Sequence, residues 1–406
     1  MVFKFIKGGV TSPKGFISSG IDCGLKGKNL KDLALIMSTG SCNSAGVYTT
    51  NKVKGAPLLV TKKHLENKTA QAIIANSGNA NTCTGKVGIE DAEKMCRFVA
   101  KASNIKEENV LVASTGIIGV KLNIDSIENS IPVLVKNLSK DGYKDASEAI
   151  MTTDTIPKTL AVEFKIQGKP VVIGVMAKGS GMIHPNMGTM LSFITTDANI
   201  SGELLEKALK ESVRVSYNRI SVDGDTSTND MVLIMANGLS DNPVIEEEDG
   251  DYKIFLEALK KLNIEIAKMI AKDGEGATKL IECKVLNVPS EKDGEILGKS
   301  VICSNLVKTA FFGCNANWGR ILDAVGYSGV DFDINKLQVS LKSLKGNILV
   351  FKNGEPVEFS VDEAEDILSE DEVSIILNFN SGNYSTCCWG CDLTYDYIKI
   401  NGSYMS

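Results

Sequence analysis

The sequence predicts an α/β protein with mixed or antiparallel sheets, built as a larger unit over residues 1–276 and a smaller one over 277–406. Three observations predict it. Strand-like runs cluster as hairpins instead of alternating strictly with helices. Other segments carry apolar residues three or four apart, the spacing of an amphipathic helix. The 406 residues are 43% hydrophobic and 23% charged, an ordinary globular balance.

The elements follow in chain order. Residues 72–75 and 110–113 are short apolar runs, each entering a turn of small polar residues, and read as buried strands. Residues 89–102 carry helical periodicity between them. Residues 161–166 and 171–173 flank a polar turn, Gln167-Gly-Lys-Pro170, and read as a β-hairpin. The second arm extends to Val175, and another apolar run opens at Met190 and closes at Ile194. Helical spacing returns at 204–213 and 254–270, the latter stopped by Asp273-Gly274. The acidic stretch 246–251 ahead of it reads as a solvated turn. A strand-rich segment begins after Gly276 and includes a late strand at 375–379.

Composition excludes several function classes. The formal net charge is −6, without the basic face that nucleic acid requires. No apolar run reaches the ~18 residues of a membrane span. The first nine residues lack a secretory pattern, so a cytoplasmic location is expected. The 10 cysteines then read as reduced thiols, and Cys388-Trp-Gly-Cys391 lacks the second pair that a zinc site needs. There are only 2 histidines, His64 and His184, and His64 sits in a lysine-rich, surface-like segment. Acid–base chemistry must come mostly from carboxylates, lysines or a chain-terminal amine.

The most informative stretch runs Lys178-Gly-Ser-Gly-Met-Ile-His-Pro-Asn-Met-Gly-Thr-Met-Leu191. Glycines, proline and asparagine let the backbone turn sharply between two apolar runs. The Thr189 hydroxyl follows Gly188 directly, as needed if the chain cuts itself there and frees Thr189 as a new N-terminus. The bland alternative is a buried turn without chemistry. A freed α-amine has a pKa of about 7.7–8.0 and can take the proton of the adjacent hydroxyl. Thr115-Gly116, after a strand, could hold a developing oxyanion. Further small polar clusters lie at 76–85, 152–155, 222–230 and 317–320, and suit a small polar substrate.

These motifs resemble the ornithine acetyltransferase (glutamate N-acetyltransferase) family of arginine biosynthesis. Besides the stretch around Thr189, the resemblance rests on Asn76-Ser-Gly-Asn-Ala-Asn81, Met151-Thr-Thr-Asp-Thr155, Ser304-Asn-Leu-Val-Lys-Thr-Ala310 and Trp389-Gly-Cys-Asp-Leu-Thr-Tyr-Asp-Tyr397, and it covers essentially the whole chain. It implies an N-terminal-nucleophile-like layered αββα sandwich with a smaller C-terminal α/β domain. It implies self-cleavage between Gly188 and Thr189 into fragments 1–188 and 189–406, assembled as α2β2. Thr189 would carry acetyl from N2-acetylornithine to glutamate, with Thr115 and Gly116 stabilising the oxyanion. Substrate contacts would come from Thr152, Lys178, Thr189, Glu275, Asn401 and Ser406, and Thr153 beside Thr152 leaves that position open. No cofactor or metal is implied, although acetyl-CoA is a possible second donor. Without the resemblance, Lys178 and Glu275 read as solvated surface charges. Gly188 stands where the family usually has alanine, and Asn315 where it usually has aspartate. An aminopeptidase or amidase with the same threonine, and a non-catalytic small-molecule binder, are the competing readings.

Overall fold

The computed structural model describes residues 3–184 and 190–403. Its larger sheet has nine strands, in the order Lys4–Ile6, Lys158–Ile166, Lys169–Lys178, Leu191–Thr196, Met231–Ala236, Leu33–Tyr48, Thr69–Asn76 and Val110–Ser114, with Phe16–Ile21 also paired to Leu33–Tyr48. Leu191–Thr196 runs parallel to Met231–Ala236, and Thr69–Asn76 parallel to Val110–Ser114; the other pairs are antiparallel. The sheet is therefore mixed, as expected. In the hairpin Ile166 pairs directly with Lys169, so the turn is only Gln167-Gly168. Both turn residues have positive φ, 46° and 80°, which matches the twist of the two arms.

Leu33–Tyr48 folds this sheet onto itself. Its register slips between Met37 and Cys42, and the strand passes from one leaf to the other there. Before the slip, Ala34 and Ile36 face the centre while Leu33 and Leu35 face an outer helix layer; after it, Ala45 and Val47 face the opposite helix layer. Side chains alternate across a strand, and Met231–Ala236 divides accordingly. Met231, Leu233 and Met235 join Phe193, Ile73 and Leu111 between the leaves. Val232 and Ile234 instead join Phe255, Leu259 and Leu209 of the helices Gly250–Lys272 and Gly202–Val215. On the far side, Val110, Val112, Ala72 and Ile74 meet Met95, Val99 and Ile131 of Gly85–Ser103 and Ile124–Lys136. The layer order is helix, sheet, sheet, helix.

The helices start where local chemistry permits. Asp249 accepts hydrogen bonds from the N–H groups of Asp251 and Tyr252, which makes the acidic turn the cap of Gly250–Lys272. Ser201 caps Gly202–Val215 in the same way. The second, seven-stranded sheet runs Glu355–Pro356, Gly346–Lys352, Gln338–Ser343, Glu372–Asn378, Leu280–Val288, Tyr384–Cys391 and Ile220–Ser221. Its last strand comes from before Gly276, with Ile220 opposite Trp389. All 10 cysteines are free thiols. His64 corrects the surface expectation: it is 8% exposed, and its Nδ1 lies 2.8 Å from the Val110 carbonyl. Among the described residues, no helix is long and apolar enough to cross a membrane.

Phe193 is fully buried between the two leaves. Truncating it removes the ring and leaves a cavity that packed strands cannot close. Phe193→Ala is expected to lower unfolding free energy by about 3–5 kcal/mol, measured by urea denaturation.

Candidate active site

One cleft gathers Thr115, Gly116, Thr152, Lys178, Glu275 and Asn401. Its empty volume is about 730 Å³ including the mouth, a size suited to an amino-acid derivative. Five separate chain segments supply these residues. Strand Val110–Ser114 ends at Thr115, strand Lys169–Lys178 ends at Lys178, and Thr152 lies in the loop before Lys158–Ile166. Glu275 follows helix Gly250–Lys272, and the last described helix, Tyr395–Ser403, returns Asn401 across it. Met190 and Leu191 also line the cleft. Gly188, Thr189 and Ser406 lie outside the described residues.

Lys178 and Glu275 are not solvated surface charges, because they are only 8% and 7% exposed. The Lys178 ammonium donates to the Thr152 hydroxyl at 2.8 Å and stands 3.8 Å from the Asp154 carboxylate. Both Thr152 and Thr153 line the cleft, and Thr152 is the one bonded to Lys178. Glu275 accepts from the Asn401 amide at 2.7 Å, and its own N–H donates to the Ser180 carbonyl at 3.0 Å. Gly181 lies against it. A Cβ there would fall 2.3 Å from the Glu275 carboxyl carbon.

Behind the cleft wall lies a buried charge cluster. Lys158 is fully buried and donates to Asp154 at 2.7 Å and Asp273 at 2.6 Å. The Gly179 N–H donates to Asp154 at 2.6 Å, and the Thr155 N–H and hydroxyl both donate to Asp273. Burial alone would raise the Asp154 carboxyl, but Lys178, Lys158 and the Gly179 N–H overcome it and hold it at about 2. In the sequence Asp154 stands only within a polar cluster and Asp273 only as a helix stop, and nothing in the sequence pairs either with Lys158.

The Thr115-Gly116 corner is shaped for a backbone donor. Gly116 has φ +128°, and a Cβ on it would meet the Gly78 carbonyl carbon at 2.4 Å, so only glycine fits. The N–H groups of Thr115 and Ile117 are taken by the carbonyls of Asn76 and Gly78. No acceptor takes the Gly116 N–H among the described residues. Asn229 ties the corner down, donating to the carbonyls of Ala80 at 2.5 Å and Ser114 at 3.0 Å. His184 is engaged elsewhere, with Nδ1 3.1 Å from the Ser221 hydroxyl and 3.5 Å from the Cys303 sulfur. Burial, with Lys299 nearby, pulls its pKa down to about 4.

A layered αββα scaffold with a Thr-Gly donor corner, a buried lysine and a buried glutamate in one cleft defines an acyl-transfer class of protein. The chain belongs to the ArgJ family, whose sequence profile matches residues 17–406. It is 50% identical over 401 residues to the arginine biosynthesis bifunctional protein ArgJ of Caldanaerobacter subterraneus subsp. tengcongensis, covering 99% of both chains. It is 53% identical over 397 residues to the arginine biosynthesis bifunctional protein ArgJ 1 of Clostridium acetobutylicum, covering 98% of this chain and 97% of that one. A crystal structure of arginine biosynthesis bifunctional protein ArgJ from Bacillus halodurans matches at 46% identity and TM-score 0.51, over 53% of this chain and 100% of that chain.

The low Asp154 value fixes the sign of one pH effect. An ordinary aspartate titrates at about 3.9, so the folded state holds fewer protons than the unfolded one between the two values. Its contribution is present above about pH 4 and lost as pH falls toward about 2. Urea midpoints measured from neutral pH downward are expected to fall more steeply in this window for the native chain than for Asp154→Asn.

Proposed function

We propose that the chain cuts itself before Thr189 and that the freed threonine moves acetyl from N2-acetylornithine to glutamate. The observation carrying this reading is the pairing of opposite buried charges, Lys178 and Glu275, in the same cleft as the Gly116 donor. Lys178 suits a substrate carboxylate, and Glu275 with Asn401 suits a substrate ammonium. Membership of a family of arginine-biosynthesis proteins supports the substrate class. The Bacillus halodurans chain is matched from end to end yet spans only 53% of this one, close to the share made up by residues 189–406. That coverage supports cleavage at the same junction.

In the proposed cycle the Thr189 α-amine takes the proton of the Thr189 hydroxyl as its oxygen attacks the acetyl carbonyl. The oxyanion formed is met by the Gly116 N–H and the Thr115 hydroxyl. The C–N bond to ornithine then breaks, its nitrogen takes the proton from the α-ammonium, and an acetyl-threonine ester remains. The glutamate amine attacks that ester through a second oxyanion. Its proton returns by way of the same terminal amine to the departing threonine oxygen, and N-acetylglutamate leaves. No cofactor is required, because the donor amide brings its own acyl group. Acetyl-CoA would enter at the same ester-forming step. The fragments 1–188 and 189–406 are proposed to associate as α2β2.

Thr189→Ala is expected to give a single uncut band on a denaturing gel and no transfer of acetyl to glutamate. An uncut wild-type chain that is fully active would remove this reading. Gly116→Ala forces a side chain into the Gly78 backbone at a positive φ. Its kcat is expected to fall by about 10²–10³-fold, the cost of displacing one oxyanion donor, measured with acetylornithine and glutamate.

A further inference from the structure

The proposed cycle asks one cleft to receive two side chains of opposite charge. N2-acetylornithine ends in an ammonium, and glutamate in a carboxylate. The distal nitrogen of the one and the distal oxygens of the other stand the same number of bonds from the α-carbon. In both halves of the cycle the α-nitrogen is the reacting group, and the Gly116 corner marks where its acetyl carbonyl must lie. Lys178 suits the α-carboxylate both times. Two groups held on one α-carbon send the rest of the molecule the same way, so both distal groups arrive at Glu275 and Asn401.

The cleft is poorly equipped for the second of them. Among the described residues that line it, Lys178 is the only cation, while Asp230 and Glu275 are both acids. Asn401 has no N–H to spare. Its amide nitrogen donates to Glu275 at 2.7 Å and to the Tyr397 carbonyl at 3.1 Å. Glu275 is 7% exposed, packed against Gly181 and tied through its own N–H to the Ser180 carbonyl, so its carboxyl stays in the wall. A glutamate side chain therefore sets a carboxylate against a carboxylate. Two such groups in contact cannot both stay ionised, and they share one proton.

We propose that Glu275 and Asn401 form a charge-adaptable subsite, in which Glu275 receives the ornithine ammonium as a carboxylate and takes up one proton to receive the γ-carboxylate of glutamate. The inference rests on the acetyl transfer proposed above. In the first state the ammonium donates to the ionised Glu275. In the second, a proton from solvent lies between the two carboxyl groups, and it returns to solvent when N-acetylglutamate leaves. The other ionisable groups around Glu275 come from every element packed on it. Lys178 and Asp230 line the same cleft, and Asp273, two residues back, is bonded to Lys158. Asp223 accepts from the N–H groups of Met182 and Ile183, next to Gly181. Tyr397, on the helix that carries Asn401, is held protonated by burial and by the nearby Asp223, Glu275 and Asp225.

Free L-ornithine and L-glutamate carry the same α-ammonium and α-carboxylate and differ only at the distal group. Their binding to processed enzyme therefore isolates the effect, and the two are expected to compete for one site. The Kd for glutamate divided by the Kd for ornithine, read by calorimetry from about pH 6 to about pH 8, is expected to rise about tenfold per pH unit, the slope of one linked proton. A ratio independent of pH overturns the proposal, and so does simultaneous binding of both ligands. Glu275→Gln is neutral at every pH. It is expected to flatten the ratio and to weaken ornithine by about tenfold or more, while glutamate near the upper end of the range binds at least as tightly as to wild type. Equal losses for both ligands mark a merely structural role and overturn the proposal. Should the variant stay uncut or unfold, the wild-type ratio decides. Wild-type enzyme that forms no N-acetylglutamate from N2-acetylornithine would instead defeat the transfer reading itself, whatever the ratio.

Discussion

The site depends on one buried cation. Lys158 bridges Asp154 and Asp273, joining the loop before its own strand to the end of the longest helix in the core. Asp154 in turn holds the Gly179 N–H and stands beside Lys178. Asp273 holds the Thr155 backbone, and two residues later the chain presents Glu275. The two charges that face the cleft are thus spaced by a third that never sees solvent. Such a cluster is not a cheap source of stability, since taking charges out of water offsets most of their attraction. Removing Lys158 would leave the buried Asp273 carboxylate without its cation, at about 3–5 kcal/mol. What the cluster supplies here is a fixed distance between two loops.

The donor corner obeys a different constraint, one of space. Gly116 sits against the backbone of Gly78 and Asn79 with no room for a side chain. Asn229 reaches in from the strand pair beside Met190 and clamps the carbonyls on both sides of that contact. The neighbouring carbonyls of Asn76, Gly78, Ala80 and Ser114 are each committed to other N–H groups. The two cleft charges and the Gly116 corner are thereby held by independent sets of contacts that share only the cleft.

The scarcity of histidine finds its place in this arrangement. His64 bonds a strand carbonyl, and His184 is half-buried, uncharged near neutral pH and turned to Ser221 and Cys303. Neither stands in the wall of the cleft. A proton acceptor made by the chain's own proposed cleavage fits a site built this way. It also accounts for a wall rich in hydroxyls and amides but sparing in permanent charge.

By itself the sequence determined the elements and their kind. Periodicity of three to four placed the helices Gly85–Ser103, Gly202–Val215 and Gly250–Lys272, and alternation placed the Lys158–Ile166 hairpin, because these patterns are set by local backbone geometry. The Thr115-Gly116 corner was legible for the same reason, as a small-residue turn after a strand. Lys178, Glu275 and Asn401 were legible only through the family motifs, since an isolated charge carries no sign of its burial. Tertiary structure alone decided that Leu33–Tyr48 would slip register and fold one sheet into two leaves. It alone joined Lys158 to Asp273 across 115 residues of chain, and it alone buried Asp230 in the cleft wall. Such pairings depend on which surfaces meet when the layers close, and no local pattern encodes that.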